Sequence, residues 1–374
     1  MLISVSDLNL DDIKNNTQQN YGKIEAINNL LIANFHRKHI VIFNRKELCF
    51  IIDNQPIFGY ASAVHAQDIL YSITGTGALL NKFSVRIEVS FSDSKEYSLI
   101  ERDRKEIITI SYKKLRNPEF LSTPILLGEH LNDAKLYHKF SELYLNLERD
   151  LDGIKINISP DHGGGSSTID KFIHLAEGDK MCFCILDSDK KFPEDLEKDT
   201  SKAFKERYRK IVNLSKAKVI EAHEIESIIP DNIIQDVILD KRYDKEFIDR
   251  IDHIKSLNTN RKYLDHKNGI NLKSAIDFNN KNNSKHWLDI FAKMEGVSKL
   301  DCFKNLKCTN CKSCVEIKGL GDNILSNTVD YIYNSAGINK YRNTISDNII
   351  EEWQHFAFDV IYWGAALRHT PNVA

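Results

Sequence analysis

The chain has 374 residues, with 51 Lys and Arg residues against 53 Asp and Glu residues and a formal net charge of −2, which excludes a protein that binds polyanions through its overall charge. Its content of 42% hydrophobic and 28% charged residues is typical of a soluble globular protein of two or three domains. No apolar stretch approaches the ~20 residues of a membrane span and no secretory signal is visible, so a cytoplasmic protein without a membrane partner is expected.

Residues 1–121 are predicted to form an N-terminal α+β domain. Residues 1–35 are polar and predicted to be helical, and apolar residues recur at helical spacing in residues 23–35. Strand-like runs separated by polar turns follow at residues 39–43, 48–53, 84–91 and 106–112. The sequence Gly75-Thr76-Gly77 is not a Walker A loop, because the Gly-Lys-Ser/Thr ending is missing. The chain therefore shows no ATPase motif of its own.

From about residue 122 strands and helices alternate, which is the signature of a parallel sheet. Strands are predicted at residues 124–127, 154–159, 181–186 and 217–220, with helices at residues 133–147 and 168–176. A charged insert, predicted to be mostly helical, follows at residues 190–216. The expected fold class is α/β, with a parallel sheet flanked by helices in residues 122–235.

Pairs of acidic residues follow three of these strands. They are Glu129 and Asp133, Asp187 and Asp189, and Glu224 and Glu226. A parallel sheet brings the carboxyl ends of its strands to one edge, so these carboxylates are expected to converge. Such a cluster is severely destabilised unless cations neutralise it. Two Mg²⁺ or Mn²⁺ ions would do so and would supply the chemistry of phosphodiester cleavage, whereas the alternative is a set of solvated acidic loops.

The order of these motifs resembles the TOPRIM domain, which topoisomerases, bacterial primases and nucleases of the overcoming-lysogenization-defect (OLD) family share. Residues 127–133 (LGEHLND) are similar to the opening motif of the nucleases. Residues 223–229 (HEIESII) are similar to their Glu-Ile-Glu-Asn-Tyr-Leu segment, with Ser227 and Ile228 in place of Asn and Tyr. The resemblance covers about residues 122–235 and lacks the ATPase half of the OLD proteins. It extends to the stand-alone TOPRIM-like effectors that accompany ATPases in bacterial anti-phage systems.

The resemblance implies a divalent-metal-dependent endonuclease for DNA or a structured RNA such as tRNA, acting in anti-phage defence with a separate ATPase or sensor protein as partner. Asp187 and Asp189 would bind metal, and Glu129 and Asp133 would complete the sites. Glu224 and Glu226 would hold or orient the second ion.

A lysine from beyond the acidic core completes the site of OLD-type nucleases, and Lys267, in a Lys-Asn-Gly loop, is the candidate to stabilise the pentavalent phosphate. The catalytic set is then Glu129, Asp187, Asp189 and Lys267. The alternatives are another TOPRIM activity, such as that of a primase, and a non-catalytic TOPRIM module that binds nucleic acid or acts as a sensor.

Two segments are candidates for contacts with nucleic acid. The loop at residues 163–167 (GGGSS) opens a helix, and its backbone N–H groups, including those of Gly164 and Ser166, can bind a phosphate. The alternative is a turn that needs positive φ. In the insert, Lys205, Arg207 and Arg209 can follow a nucleic-acid backbone, or form an ordinary solvated helix face.

Residues 236–374 are predicted to be mainly helical with a cysteine cluster. Seven cysteines in such a chain indicate reduced cytosolic thiols or metal ligands. Four of them have the spacing C-x5-C-x2-C-x2-C, namely Cys302, Cys308, Cys311 and Cys314. They can form a structural zinc site, with free thiols as the main alternative and an iron–sulfur cluster as another. The aromatic run in residues 353–363 is expected in the core or in a homodimer interface.

Overall fold

The computed structural model describes residues 1–93, 97–102, 105–178, 180–196, 201–202, 204, 214–308, 314–334 and 338–368. Within these ranges the α-helices are α1 (Leu10–Asn15), α2 (Tyr21–Phe35), α3 (Arg45–Asp53), α4 (Gln55–Phe58), α5 (Tyr60–Lys82), α6 (Leu131–Leu147), α7 (Thr168–Glu177), α8 (Asp231–Asp240), α9 (Glu246–Ser256), α10 (Leu272–Asn282), α11 (His286–Ala292), α12 (Asp301–Lys304), α13 (Ile324–Asn334) and α14 (Asp347–Gly364). The strands are β1 (Leu2–Ser6), β2 (Ile40–Ile42), β3 (Val85–Ser90), β4 (Tyr97–Arg102), β5 (Lys105–Ser111), β6 (Ile125–Gly128), β7 (Ile154–Ile156), β8 (Ser159–His162), β9 (Cys182–Leu186), β10 (Ser215–Val219), β11 (Gly269–Asn271), β12 (Glu316–Lys318) and β13 (Ala365–Leu367).

The N-terminal part is built on a sheet with strand order β2-β1-β3-β5-β4. The strands are parallel except for β4, which pairs antiparallel with β5. The predicted helix at residues 23–35 and the predicted strands at residues 39–43, 84–91 and 106–112 are confirmed as α2, β2, β3 and β5. The first strand, β1, lies in a segment that was predicted to be helical, because its residues pair with both β2 and β3.

The strand predicted at residues 48–53 is wrong, because these residues belong to α3. Asn44 accepts a hydrogen bond from the N–H of Glu47, and the Glu47 carboxylate accepts one from the N–H of Asn44. This capping box starts a helix. Leu48 and Ile51 then lie one turn apart on its buried face.

A second sheet, of order β10-β9-β6-β8, is parallel throughout. Three of its strands are confirmed near their predicted positions, but the strand predicted at residues 154–159 is wrong in extent. Its first half is β7, which pairs antiparallel with β13 near the end of the chain. The sheet instead takes β8, because Ser159 N–H donates to the Pro124 carbonyl and starts pairing beside β6.

The aromatic residues of α14 fill the core between the two sheets. Trp353 stacks on Phe140 of α6 with ring centroids 4.5 Å apart, and Trp363 stacks on Phe183 of β9 at 6.0 Å. Tyr362 contacts Phe83, which precedes β3. The core placement predicted for this aromatic run is confirmed. The contact between Trp353 and Phe140 also holds α6, the helix that begins within the first acidic motif.

The C-terminal part is mainly helical, as predicted, and contains the short antiparallel pair β11–β12. This pair carries the loop with Lys267, immediately before β11. Among the described residues, no helix is both long enough and apolar enough to cross a membrane.

Candidate metal centre

The acidic motifs leave the second sheet at one edge. Leu127 of β6 pairs with Cys184 of β9, and Leu186 of β9 pairs with Val219 of β10. Because these strands are parallel, the segments that follow them emerge on the same side. The strand pairing therefore brings the segments that carry the three acidic pairs to one edge of the sheet, as expected.

A short turn joins β6 to α6 and places the first acidic pair. A Cβ at Gly128 would lie 2.8 Å from Ala134 N and 3.0 Å from His130 O, so only glycine lets the helix start this close to the strand. The Asp133 carboxylate accepts a hydrogen bond from His130 N–H at 2.8 Å and caps the helix. Asp133 is buried, whereas Glu129 is partly exposed beside it.

Ser188 holds the Asp187-Ser188-Asp189 segment in place. Its side chain is fully buried, and its Oγ donates to the carbonyl of Ala222 at 2.7 Å. Asp189 has a φ of +55° and donates its N–H to the His223 carbonyl at 3.0 Å. Aspartate adopts this left-handed conformation more readily than most residues. The middle residue thus anchors the loop that carries both carboxylates.

Tyr137 is a residue of the site that sequence reasoning missed. It lies one helical turn after Asp133 on α6 and donates its hydroxyl to Asp187 Oδ1 at 2.8 Å. Its ring packs edge-on against Phe356 of α14 with centroids 5.0 Å apart. The core thereby fixes one oxygen of Asp187. The spacing of four residues between Asp133 and Tyr137 places both on one face of the helix, and this was the signal that could have identified Tyr137. A buried tyrosine on a helix face is, however, equally typical of an ordinary core residue.

Lys267 is brought directly to the third acidic pair. Its Nζ lies 3.1 Å from Glu224 Oε2 and 3.0 Å from Glu226 Oε1. Both glutamate side chains are almost completely buried, with 8% and 2% of their surface exposed, whereas that of Lys267 is 33% exposed. The contact with Glu226 is an ion pair without hydrogen-bond alignment, since neither Glu226 oxygen accepts a hydrogen bond from the described residues.

The backbone around Lys267 is held from several sides. Asp265 Oδ1 accepts hydrogen bonds from the N–H groups of Lys267 and Asn268, at 3.1 and 2.8 Å. His266 N–H donates to Glu224 Oε1 at 2.7 Å. Gly321 N–H donates to the Lys267 carbonyl at 3.0 Å. The ammonium is therefore presented by a fixed loop.

Burial and mutual repulsion raise the pKa of the clustered carboxylates. Burial first, then Asp189 and Asp133, raise the pKa of Glu129 from 4.5 to about 7. Burial and the neighbouring Glu226 raise the pKa of Glu224 to about 8, although Lys267 opposes the change. The pKa values of Asp133, Asp187 and Glu226 are also raised, each chiefly by burial. Closely spaced carboxylates of this kind favour a cation between them.

The carboxylate oxygens of the cluster are suited to bind a hard divalent cation. Hydrogen bonds within the described residues leave both oxygens of Glu129 and Asp189, and Oδ2 of Asp187, without a donor. Carboxylate oxygens are the ligands that Mg²⁺ and Mn²⁺ prefer. As they stand, no three His, Cys, Asp or Glu side chains of the described ranges are arranged to hold one metal ion. Binding would therefore require the carboxylate side chains to turn toward the ion.

The glycine-rich loop has a different use from the one predicted. The N–H of Gly163 donates to the Gly128 carbonyl at 2.7 Å, and those of Gly164 and Gly165 donate to the Glu129 carbonyl at 3.1 Å. Gly164 and Gly165 have φ values of +89° and +64°, which is the alternative of a turn that needs glycine. The Gly164 amide is thus taken by a backbone carbonyl and is not open to a phosphate, whereas the role predicted for Ser166 stays a prediction. These hydrogen bonds also support the turn that carries Glu129.

Other predicted contacts fall outside the described residues. Lys205, Arg207 and Arg209 of the insert, and Cys311 of the cysteine cluster, lie there. The partly buried Cys302 and Cys314 pack against the hydrophobic core, and Cys308 is also partly buried.

Comparisons with protein-family models, curated proteins and solved structures gave no match to the chain.

Proposed function

We propose that the chain is a Mg²⁺- or Mn²⁺-dependent nuclease with a TOPRIM-like domain in residues 122–235, and that it hydrolyses phosphodiester bonds of DNA or a structured RNA such as tRNA. The observation that carries the proposal is the convergence of three acidic pairs and one lysine at a single edge of a parallel sheet. A solvated acidic surface would not bury Asp133, Glu224 and Glu226.

The residues of the site have three roles: ligands of the metal ion, a residue that holds one ligand in place, and a cation beside the acidic edge. Asp187, Asp189 and Glu129 carry the open carboxylate oxygens that would hold the metal, with Asp133 beside them. When bound, a divalent ion supplies an activated water and stabilises the leaving oxygen of a phosphodiester. Tyr137 fixes Asp187 through its hydroxyl, so that one carboxylate oxygen keeps its direction.

Lys267 supplies a positive charge next to the acidic edge. Glu224 and Glu226 hold its ammonium in place. From this position the ammonium can stabilise the negative charge that develops on the phosphate during cleavage. By resemblance, the chain would act as an anti-phage effector, with a separate ATPase or sensor protein as its trigger.

A cleavage assay tests this proposal. Supercoiled plasmid and total tRNA are incubated with the protein in Mg²⁺ or Mn²⁺, and the matched chain with Asp187→Asn and Asp189→Asn is run beside it. The control is Asp170→Asn, an exposed aspartate in the first turn of α7 outside the cluster. We expect cleavage by the wild type and the control, and none by the double variant. Equal behaviour of all three proteins on every substrate would contradict the proposal.

A further inference from the structure

A pocket of about 260 Å³ opens beside the loop that carries Lys267. Asp265 and Asn268, which flank Lys267, are among the residues that line it. Lys191, two residues after Asp189, lines it as well. The pocket and the candidate metal centre therefore share two segments of chain, and a molecule in the pocket would lie next to the acidic edge.

Aromatic side chains form the apolar walls of this pocket. They are Tyr263, Phe278 and Trp287. Trp287 is only 1% exposed, and its Nε1 donates to the Lys191 carbonyl at 2.5 Å, so its ring is held in one orientation. Tyr263 is half-buried and contacts His286 edge-on, with ring centroids 5.5 Å apart. Because Trp287 is almost completely buried, the partly exposed rings of Tyr263 and Phe278 are the ones that can stack with a planar ligand.

Polar side chains line the pocket together with these rings. Asn271 and Glu316 are paired with each other across the β11–β12 ribbon. Among the described residues, no Lys or Arg forms an ion pair with Glu316, and no Asp or Glu forms one with Lys191. A carboxylate of this kind accepts hydrogen bonds from the amino and ring N–H groups of bases, and a lysine beside it suits a phosphate.

We propose that this pocket takes one unpaired nucleobase of the substrate strand, adjacent to the phosphodiester at the metal centre. The inference rests on the proposed nuclease function and adds that the substrate is single-stranded, looped or locally opened at the cleavage site. The pocket is smaller than the ~300–1,000 Å³ typical of sites for drug-sized ligands, which suits one planar base. A base inside a duplex cannot enter it, since its faces are already stacked and its edge is paired.

Binding of single-stranded oligonucleotides to the full-length protein tests this pocket. Labelled octamers of DNA and RNA, intact or with one abasic residue scanned through every position, are titrated in EDTA to prevent cleavage. We expect an abasic residue at one position to weaken binding by roughly 5- to 100-fold, which is the range for loss of one stacked base, and the other positions to have little effect. This scan uses the wild-type protein, so it does not depend on the folding of a variant.

A variant locates the effect in the pocket. Tyr263→Leu should weaken binding of the intact strand to the level of the sensitive abasic strand, with no further loss when both changes are combined. Tyr71→Leu, in which an 83% exposed tyrosine of α5 is replaced, should behave as the wild type. Equal binding of intact and abasic strands at every position would overturn the proposal. Competition by free mononucleotides as strong as that by the octamer would also overturn it, because the pocket would then be a nucleotide site independent of the strand.

Cleavage in Mn²⁺ separates failure of the pocket from failure of the proposed function. If the wild type cleaves nucleic acid but no single base matters, the pocket assignment is wrong and the nuclease function stands. If the wild type neither binds nor cleaves any of these strands, plasmid or tRNA, the nuclease function is wrong and the base pocket with it.

Discussion

Glu129→Gln should stabilise the metal-free protein at alkaline pH while abolishing the proposed activity. Glutamine has nearly the shape of protonated glutamate but cannot ionise. Burial chiefly, then Asp189 and Asp133, raise the pKa of Glu129 from 4.5 to about 7. The folded protein therefore prefers the neutral side chain, and the variant is neutral at every pH.

The pH window follows from the sign of this change. Because the pKa is higher in the folded protein than in the unfolded chain, the stability that Glu129 contributes is present below about pH 4.5 and is lost as the pH rises to about 7. A rise from 4.5 to about 7 corresponds to a total of roughly 3 kcal/mol. This is an upper limit, since Glu129 is partly exposed. Of that total, roughly 2 kcal/mol falls between about pH 5.5 and about pH 8.5.

Urea denaturation in EDTA at these two pH values measures the effect. The advantage of Glu129→Gln over the wild type should grow by up to about 2 kcal/mol between the lower and the higher pH. The control is Glu221→Gln at the same sheet edge, where a hydrogen bond from Lys262 lowers the pKa of the carboxylate. Its difference from the wild type should stay constant in this range. A constant difference for Glu129→Gln, or a variant that loses stability as the pH rises, would refute the reasoning.

Three further predictions concern the supports of the site. Tyr137→Phe removes the hydroxyl that fixes Asp187. Cleavage, measured by initial rates, should fall at least about 10-fold, and the free energy of unfolding, measured by urea denaturation, should fall by about 1 kcal/mol. Unchanged cleavage rates would contradict this prediction. Lys267→Met should abolish cleavage and destabilise the metal-free protein by roughly 2 kcal/mol, since it leaves two buried carboxylates without a cation. Lys262→Met loses ion pairs with Glu221 and Glu352, which are not among the six acidic residues of the site, and should retain cleavage in the same assay. Gly128→Ala should lower the free energy of unfolding by about 1–3 kcal/mol through its clash with Ala134 N, and an unchanged denaturation midpoint would rule out the tight turn.

The convergence of the acidic residues could be predicted because it depends on a strong local signal. Short apolar runs that end in carboxylates, separated by helical segments, leave few arrangements other than a parallel sheet. The parallel pairing of β6, β9 and β10 then places the segments that follow them at one edge. In contrast, the placement of Lys267 needed the family resemblance, since no pattern in residues 264–272 shows that this loop lies against the acidic residues.

Other features depend on contacts between distant segments. Ile154 and Ile156 alternate as in any strand, and only their pairing with residues 365–367 separates β7 from the central sheet. The strand predicted at residues 48–53 overlooked the capping box of Asn44 and Glu47, a local signal that was available. Helix α5 was missed because glycines at 75 and 77 interrupt its pattern, although its buried face packs on α2 and α3.

Binding of Mn²⁺ is the most direct test of the central claim that this sheet edge is a metal centre. The free ion is followed by electron paramagnetic resonance during titration of the wild type, Asp187→Asn with Asp189→Asn, and the exposed control Asp170→Asn. The titration is run at about pH 8, which lies above the raised pKa of Glu129 and favours the deprotonated carboxylates that a metal needs. The account predicts saturable uptake by the wild type and the control, with uptake lost in the double variant. Equal uptake by all three proteins, or none by the wild type, would contradict it.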